Sequence, residues 1–186
     1  MKKIKTLLLT GIFSCSLYAA NSFYIGAGVM TGNGIETWND NSDYDYSENF
    51  NSKAGSVKLG FITKSNNRFE LSVNKFYLES DYWTDVYTGL DLNYLLVFFN
   101  GNFHPYVGLG IGGYISKNLE TYDEETGEFK NATALAGNAS LGFLYSIGKS
   151  LEFESALKYH HINWHFDDGD LVDDIMSIYL GANLKF

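Results

Sequence analysis

The sequence predicts an all-β fold, namely an eight-stranded antiparallel up-and-down transmembrane β-barrel with short periplasmic turns and longer extracellular loops. Three observations predict it. Apolar and polar residues alternate with a period of two in eight segments. Short polar turns and longer polar connections separate these segments in near alternation. Phenylalanines of the apolar face cluster near the ends that meet the short turns.

The first twenty residues are predicted to be a secretory signal peptide, cleaved after Ala19 or Ala20. Lysines at positions 2, 3 and 5 precede an apolar stretch from 7 to 17, and small residues follow it. This stretch is shorter than the ~20 apolar residues of a transmembrane helix. Phe13 is too bulky for the approach to a lipidated cysteine, so Cys15 is assigned to the leader. Residues 21–186 then form one domain without cysteine.

Each predicted strand is defined by the alternation of its side chains. In the first, Phe23, Ile25, Ala27 and Val29 share one face. The same pattern recurs along the chain, and the eight predicted strands cover residues 23–29, 56–61, 69–73, 90–98, 107–111, 135–145, 151–159 and 177–186.

The connections between these strands differ in length. Short polar turns are predicted at 64–67, 100–102 and 148–150, whereas the connections at 36–53, 78–85, 116–133 and 161–174 are mostly longer. Short turns on one rim and longer loops on the other are typical of an outer-membrane barrel. Both termini of the barrel domain are therefore expected on the periplasmic rim.

Aromatic residues predict two belts at the membrane interfaces. The periplasmic belt is assigned to Phe23, Phe61, Phe69, Phe98, Phe143, Phe153 and Phe186. The opposite belt is assigned to Trp38, Tyr77, Tyr82, Trp83, Tyr159 and Trp164. A soluble barrel with its apolar face around a ligand is the alternative. It is disfavoured because the polar face has few charges and many glycines.

The charges divide into loop acids and strand charges. Of 22 acidic residues, eighteen fall in the four predicted extracellular loops. The four remaining acids fall on the polar face of strands together with four bases, which suits a closed lumen because unpaired buried charge is costly. This predicted lumen charge network consists of Lys58, Arg68, Glu70, Asp91, Glu152, Glu154, Lys158 and Lys185. Scattered, solvated charges are the alternative.

Three segments resemble the small outer-membrane β-barrel family, the group of OmpX, OmpW and the OmpA transmembrane domain. They are "PYVGLGIGGY" (105–114), "LEFESALKYH" (151–160) and "YLGANLKF" (179–186). The last is similar to the assembly signal of such barrels. The resemblance assigns that signal to Tyr179, Gly181, Leu184 and Phe186, and no peptidoglycan-binding domain is expected after the barrel.

The resemblance implies an integral outer-membrane protein of a Gram-negative bacterium, inserted by the barrel-assembly machinery. Its expected partners are outer-membrane lipid and lipopolysaccharide, the latter through divalent cations because the predicted loops are acidic. No cofactor and no nucleic acid are expected.

Catalysis is not expected from the histidine-rich segment near the C-terminus. Lipid A deacylases of similar size carry a His-x-Ser-Asn segment, and Asn163 stands here where the nucleophilic serine would be. A metal site is the alternative, and its candidate ligands are His160, His161, His165, Asp167 and Asp168. Solvated loop histidines are the preferred interpretation.

Two functional classes follow from these observations. The first is a structural or surface-interaction barrel with a side-chain-filled lumen and acidic loops. The alternative, which OmpW-like relatives suggest, is a narrow channel for small or apolar solutes.

Overall fold

The structure, a computed structural model, describes residues 20–40, 45–98, 101–123, 128–166 and 169–186. They form strands β1 (Ala20–Asp40), β2 (Asp45–Thr63), β3 (Arg68–Glu79), β4 (Thr84–Val97), β5 (Phe103–Asp123), β6 (Glu128–Ile147), β7 (Leu151–Phe166) and β8 (Gly169–Lys185). Consecutive strands pair antiparallel and β8 pairs with β1, so the sheet closes into an eight-stranded barrel. The predicted fold class is confirmed. The predicted leader lies outside the described residues, apart from Ala20.

The pairing of β1 with β8 completes the barrel. It runs from Tyr24 opposite Lys185 to Asp40 opposite Gly169. Beyond it, the Phe23 amide donates to the Phe186 carbonyl at 3.0 Å, and the Phe186 amide donates to the Phe23 carbonyl at 2.9 Å. Closure therefore leaves no free sheet edge along these two strands. No helix in the described ranges has the length and apolar character needed to cross a membrane.

The barrel turns its apolar face outwards. Leu109 and Leu135 are 71% and 80% exposed, whereas the alternate residues of each strand are buried inside. The apolar belt, defined by its outward-facing residues, covers 23–29, 57–61, 69–73, 90–98, 103–115, 135–147, 151–159 and 176–186. The soluble alternative is wrong, because an apolar exterior of this extent belongs in lipid.

The strands continue beyond this belt, and this corrects the predicted loops. Most residues of the predicted loops 36–53, 116–133 and 161–174 lie in strands. The connection predicted at 78–85 is a four-residue turn over 80–83, in which the Ser80 amide donates to the Trp83 carbonyl at 3.0 Å. Above the bilayer the outer face is wet, so a paired strand there needs no apolar alternation.

The structure places the residues of one predicted aromatic belt on the outer face, but only part of the other. All seven phenylalanines of the periplasmic belt face outwards, and Phe61 stacks on Phe69 with ring centroids 5.0 Å apart. Of the opposite belt, Tyr77, Tyr82 and Tyr159 are exposed. The prediction was wrong for the tryptophans: Trp164 is fully buried in the lumen, and Trp38 and Trp83 pack against the interior cluster.

Candidate functional site in the barrel lumen

The lowest layer of the lumen is an ionic cluster near the periplasmic rim. Lys58 of β2 pairs with Glu70 of β3, with Nζ 2.9 Å from Oε1, and reaches across the lumen to Glu154 of β7. All three side chains are at most 1% exposed. β2 and β3 are neighbours and β7 lies on the other side of the barrel, so the Lys58–Glu154 pair bridges the interior.

A second group of charges lies beside Lys58. Arg68 forms a two-point contact with Glu152, with Nη1–Oε1 and Nη2–Oε2 distances of 2.5 and 2.9 Å. Lys185 contributes a further contact to Glu152 at 3.3 Å and remains 15% exposed. A two-point guanidinium–carboxylate contact fixes the relative orientation of the two side chains in addition to pairing their charges. Six of the eight predicted network residues thus come together.

Tyrosine hydroxyls donate further hydrogen bonds to two of these carboxylates. Tyr24 donates to Glu70 Oε1 at 2.5 Å, and Tyr106 donates to Glu154 Oε1 at 2.7 Å. The Asn183 amide donates to both Glu152 and Glu154. A buried ionic layer is tolerable only when its lone pairs and protons are used in this way.

Lys158 is placed differently from the other bases of the predicted network. Its Nζ lies 4.0 Å from the ring centroid of Tyr179, and no carboxylate oxygen of the described residues is within salt-bridge distance. A cation over an aromatic face is stabilised by the ring quadrupole. Tyr179 fits here because Gly28 and Gly181 flank it, where an added Cβ would lie 2.5 and 2.3 Å from its side chain.

The predicted assembly-signal residues divide between the two barrel faces. Tyr179 is fully buried and Gly181 faces the same interior, whereas Leu184 and Phe186 point outwards and are 56% and 74% exposed. Tyr179 and Gly181 therefore have a packing role in the lumen, and Leu184 and Phe186 form part of the apolar exterior.

The middle layer joins Asp91 to a histidine. Asp91 Oδ2 accepts from Asn74 at 2.7 Å and from the Tyr114 hydroxyl at 3.0 Å, and His160 Nε2 lies 3.5 Å from it. His160 is 3% exposed and packs edge-on against Phe76. Its assignment as a solvated loop histidine was wrong, because β7 continues through it with its side chain inside.

The upper layer is aromatic and encloses Asp173. The rings of Tyr87 and Trp164 are 4.6 Å apart, and both side chains donate to Asp173 Oδ2 at 2.8 Å. Asp85 is also buried and accepts from the Ser116 hydroxyl. Asp85 and Asp173 were predicted to be displayed on loops, and the structure corrects this.

Asp173 and Glu36 form an acidic pair above the membrane belt. They are opposite each other in the β1–β8 ladder, and Asp173 Oδ1 has no hydrogen-bond partner among the described residues. Burial raises the pKa of Asp173 from 3.8 to about 6. Burial and the charge of Asp173 raise the pKa of Glu36 from 4.5 to about 7.

The barrel is therefore expected to lose stability as the pH rises. Raised pKa values mean that the folded state holds protons that the unfolded chain has released, so this contribution is complete below about pH 4 and lost by about pH 8. For Asp173 alone the free energy of unfolding should fall by about 1 to 2 kcal/mol between about pH 5 and pH 8, and partly exposed Glu36 adds to this fall. Urea unfolding in detergent micelles measures it. Asp173→Asn should flatten this dependence and exposed Asp81→Asn should not; an unchanged slope in Asp173→Asn contradicts the assignment.

The two other histidines of this segment face outwards. His161 Nδ1 lies 2.7 Å from Asp174 Oδ1, and His165 Nδ1 lies 2.5 Å from Asp170 Oδ1. The Tyr159 hydroxyl donates to the same Asp174 oxygen. Within the described ranges no three histidine or carboxylate side chains are grouped so as to hold a metal ion.

The closed lumen and the apolar exterior together define a transmembrane β-barrel. No model of a known protein family and no curated protein sequence matches the chain. Among solved structures it is similar to Neisserial surface protein A, with a TM-score of 0.61 at 14% identity over 88% of this chain and 97% of that one. This likeness confirms the predicted resemblance to small outer-membrane barrels at the level of the fold.

Two further structures are similar at lower scores. The outer membrane protein AlkL has a TM-score of 0.49 at 17% identity, covering 89% of this chain and 90% of that one. The outer membrane protease OmpT from Escherichia coli has a TM-score of 0.43 at 7% identity, covering 90% and 97%.

Proposed function

We propose that the protein is an integral outer-membrane barrel with a structural or surface-interaction role and a lumen closed by side chains. The observation that carries this proposal is the filling of the lumen at three levels. An eight-stranded barrel has an interior only wide enough for side chains. Here Arg68, Phe76 and Trp164, one in each layer, are at most 1% exposed.

The proposed location is the outer membrane of a Gram-negative bacterium, after export by the leader and insertion by the barrel-assembly machinery. The apolar belt and the paired ends of β1 and β8 support it. Lipopolysaccharide is the proposed surface partner, with divalent cations between its phosphates and exposed acids such as Glu79 and Asp81. No catalytic activity is part of the proposal.

The refolded wild-type protein is expected to show little steady conductance in a planar lipid bilayer. Ions cannot cross a lumen in which ionic and aromatic layers occupy the cross-section. A 16-stranded porin in the same bilayer provides the positive control. A large, steady wild-type conductance would contradict the closed lumen and favour the narrow channel that the sequence leaves as the alternative.

A further inference from the structure

A groove of about 810 Å³ lies on the outside of the barrel, away from the lumen. One continuous row of outward-facing ladder neighbours crosses it from β7 to β3: Tyr159, Met176, Asn33, Asn51 and Glu79. Five neighbouring strands span about 19 Å across their axes. Met176 belongs to the upper edge of the apolar belt, so the groove begins where the belt ends on the extracellular side.

Two glycines of β1 allow close packing of the strands beneath the groove. A Cβ at Gly32 would lie 1.9 Å from the Met176 carbonyl oxygen, and one at Gly34 would lie 2.2 Å from the Phe50 ring. Any larger residue would hold β1 away from β8 and from Phe50. Glycine at these two positions therefore allows β1 to pack closely against β8 and Phe50 beneath the groove.

The lining chemistry selects the ligand. Asn33, Asn49 and Asn51 are exposed. Within the described part of the chain, the carboxamide groups of their side chains make no hydrogen bond. Each amide offers two donors and an acceptor. Ile35 and Tyr159 add apolar surface beside them. Adjacent amides, carboxylates and apolar patches match a ligand with hydroxyl groups on an apolar ring, which is a saccharide.

The charge and polarity of the lining disfavour two other ligands of an outer-membrane surface, a phosphate group and an acyl chain. Three carboxylates line the groove, those of Glu79, Asp81 and Asp174, and no lysine or arginine is among its described lining residues. The nearest base along β2, Lys53, lies one ladder row lower, opposite Tyr77. A phosphate group in the groove would therefore meet mainly like charge unless a divalent cation lay between them. An acyl chain would leave the amides and carboxylates desolvated and unpaired.

We propose that this groove binds a neutral saccharide unit at the level of the outer-leaflet headgroups. The inference rests on the proposed outer-membrane location, which sets the side of the membrane that the groove faces. Such a unit has two sources, the sugar headgroup of a membrane glycolipid and a free oligosaccharide. The groove distinguishes both from phosphate by its negative charge.

The test uses amide NMR spectra of the refolded full barrel in lipid nanodiscs. Maltotriose and triacetylchitotriose are the soluble neutral probes, inorganic phosphate is the anionic probe, and a nanodisc containing monoglucosyl diacylglycerol presents a membrane-bound sugar. In buffer without divalent cations, saturable shifts are expected with a neutral sugar at residues 33–35 and 49–51, and none with phosphate. Saturation by the glycolipid but not by the soluble sugars would assign the headgroup as the source.

A double variant with a matched control completes the test. Asn49→Ala with Asn51→Ala is expected to weaken neutral-sugar binding about tenfold, since two amide hydrogen bonds are lost. Asn131→Ala, an exposed asparagine on β6 outside the groove, should leave it unchanged. Absence of saturable shifts in the wild type, shifts spread over all strands, or stronger phosphate binding would each overturn the inference. Because the wild-type spectra require a folded, inserted barrel, failure to insert contradicts the proposed function instead.

Discussion

Replacing both Glu152 and Glu154 by alanine is expected to produce the largest loss of stability of any change in the lumen. Among the residues that the structure describes, the double change removes the only acid paired with Arg68 and one of the two that pair with Lys58. Breaking one buried ion pair by removing a single partner costs about 3 to 5 kcal/mol, because the other charge stays buried. Lys185 is partly exposed and can turn to water, so its loss of Glu152 adds little.

Urea unfolding of the refolded protein in lipid vesicles measures this loss. The variant Glu152→Ala/Glu154→Ala should also show transient openings in a planar bilayer, since the layer nearest the periplasm no longer holds together. Glu79→Ala removes an exposed acid and is the matched control, with an expected effect below about 0.5 kcal/mol. A stability within experimental error of the wild type would contradict a supporting role for the cluster.

A second comparison separates the stranded charge from the lost contact. Replacing Arg68 and Glu152 together by methionine removes the pair without leaving an unpaired charge between them. This variant should be more stable than Glu152→Ala alone, because an apolar pair of similar volume can replace a buried ion pair at little cost. Equal stabilities for the two variants would show that the contact itself, and not the stranded guanidinium, determines the cost.

The alternation of side chains allowed the sequence to predict which face each residue occupies. All eight residues of the predicted network face the interior, since the period of two holds in the strand segments that carry them. Which of them meet could not be predicted, because pairing across a barrel depends on the depth of each residue and on strand tilt. Lys158 illustrates this, as it lies over Tyr179 and not beside an acid.

The residues of the upper lumen were predicted to lie in loops for a different reason. His160, Trp164 and Asp173 lie at or beyond the upper edge of the apolar belt, where outward-facing residues become polar. Without an apolar outer face, a strand has the composition of a loop. The structure identifies it as a strand by the hydrogen-bonded pairing of β7 with β8. Continuing the parity of residues 151–159 would have placed His160 and Trp164 inside.

Deleting Phe186 is expected to leave export intact and to reduce sharply the amount of folded protein in the outer membrane. Phe186 exchanges two backbone hydrogen bonds with Phe23 and so closes β8 against β1 at the periplasmic end. Its ring is 74% exposed on the apolar exterior. Deletion removes both hydrogen bonds, each worth about 1 kcal/mol, and the burial in lipid of one aromatic ring, worth about 2 kcal/mol.

The measurement is the fraction of heat-modifiable, folded protein in outer-membrane preparations, compared with the total exported protein. The deletion should lower this fraction at least about tenfold, which corresponds to the loss of only part of that stabilisation. Phe186→Ala keeps the backbone pairing and tests the ring alone, and Leu180→Ala, which removes an exposed apolar side chain of β8 outside the predicted signal, is the matched control. If the ring is part of an assembly signal, Phe186→Ala should resemble the deletion while Leu180→Ala has a smaller effect. Wild-type levels of folded protein after the deletion would show that neither the pairing with Phe23 nor the ring is needed for insertion.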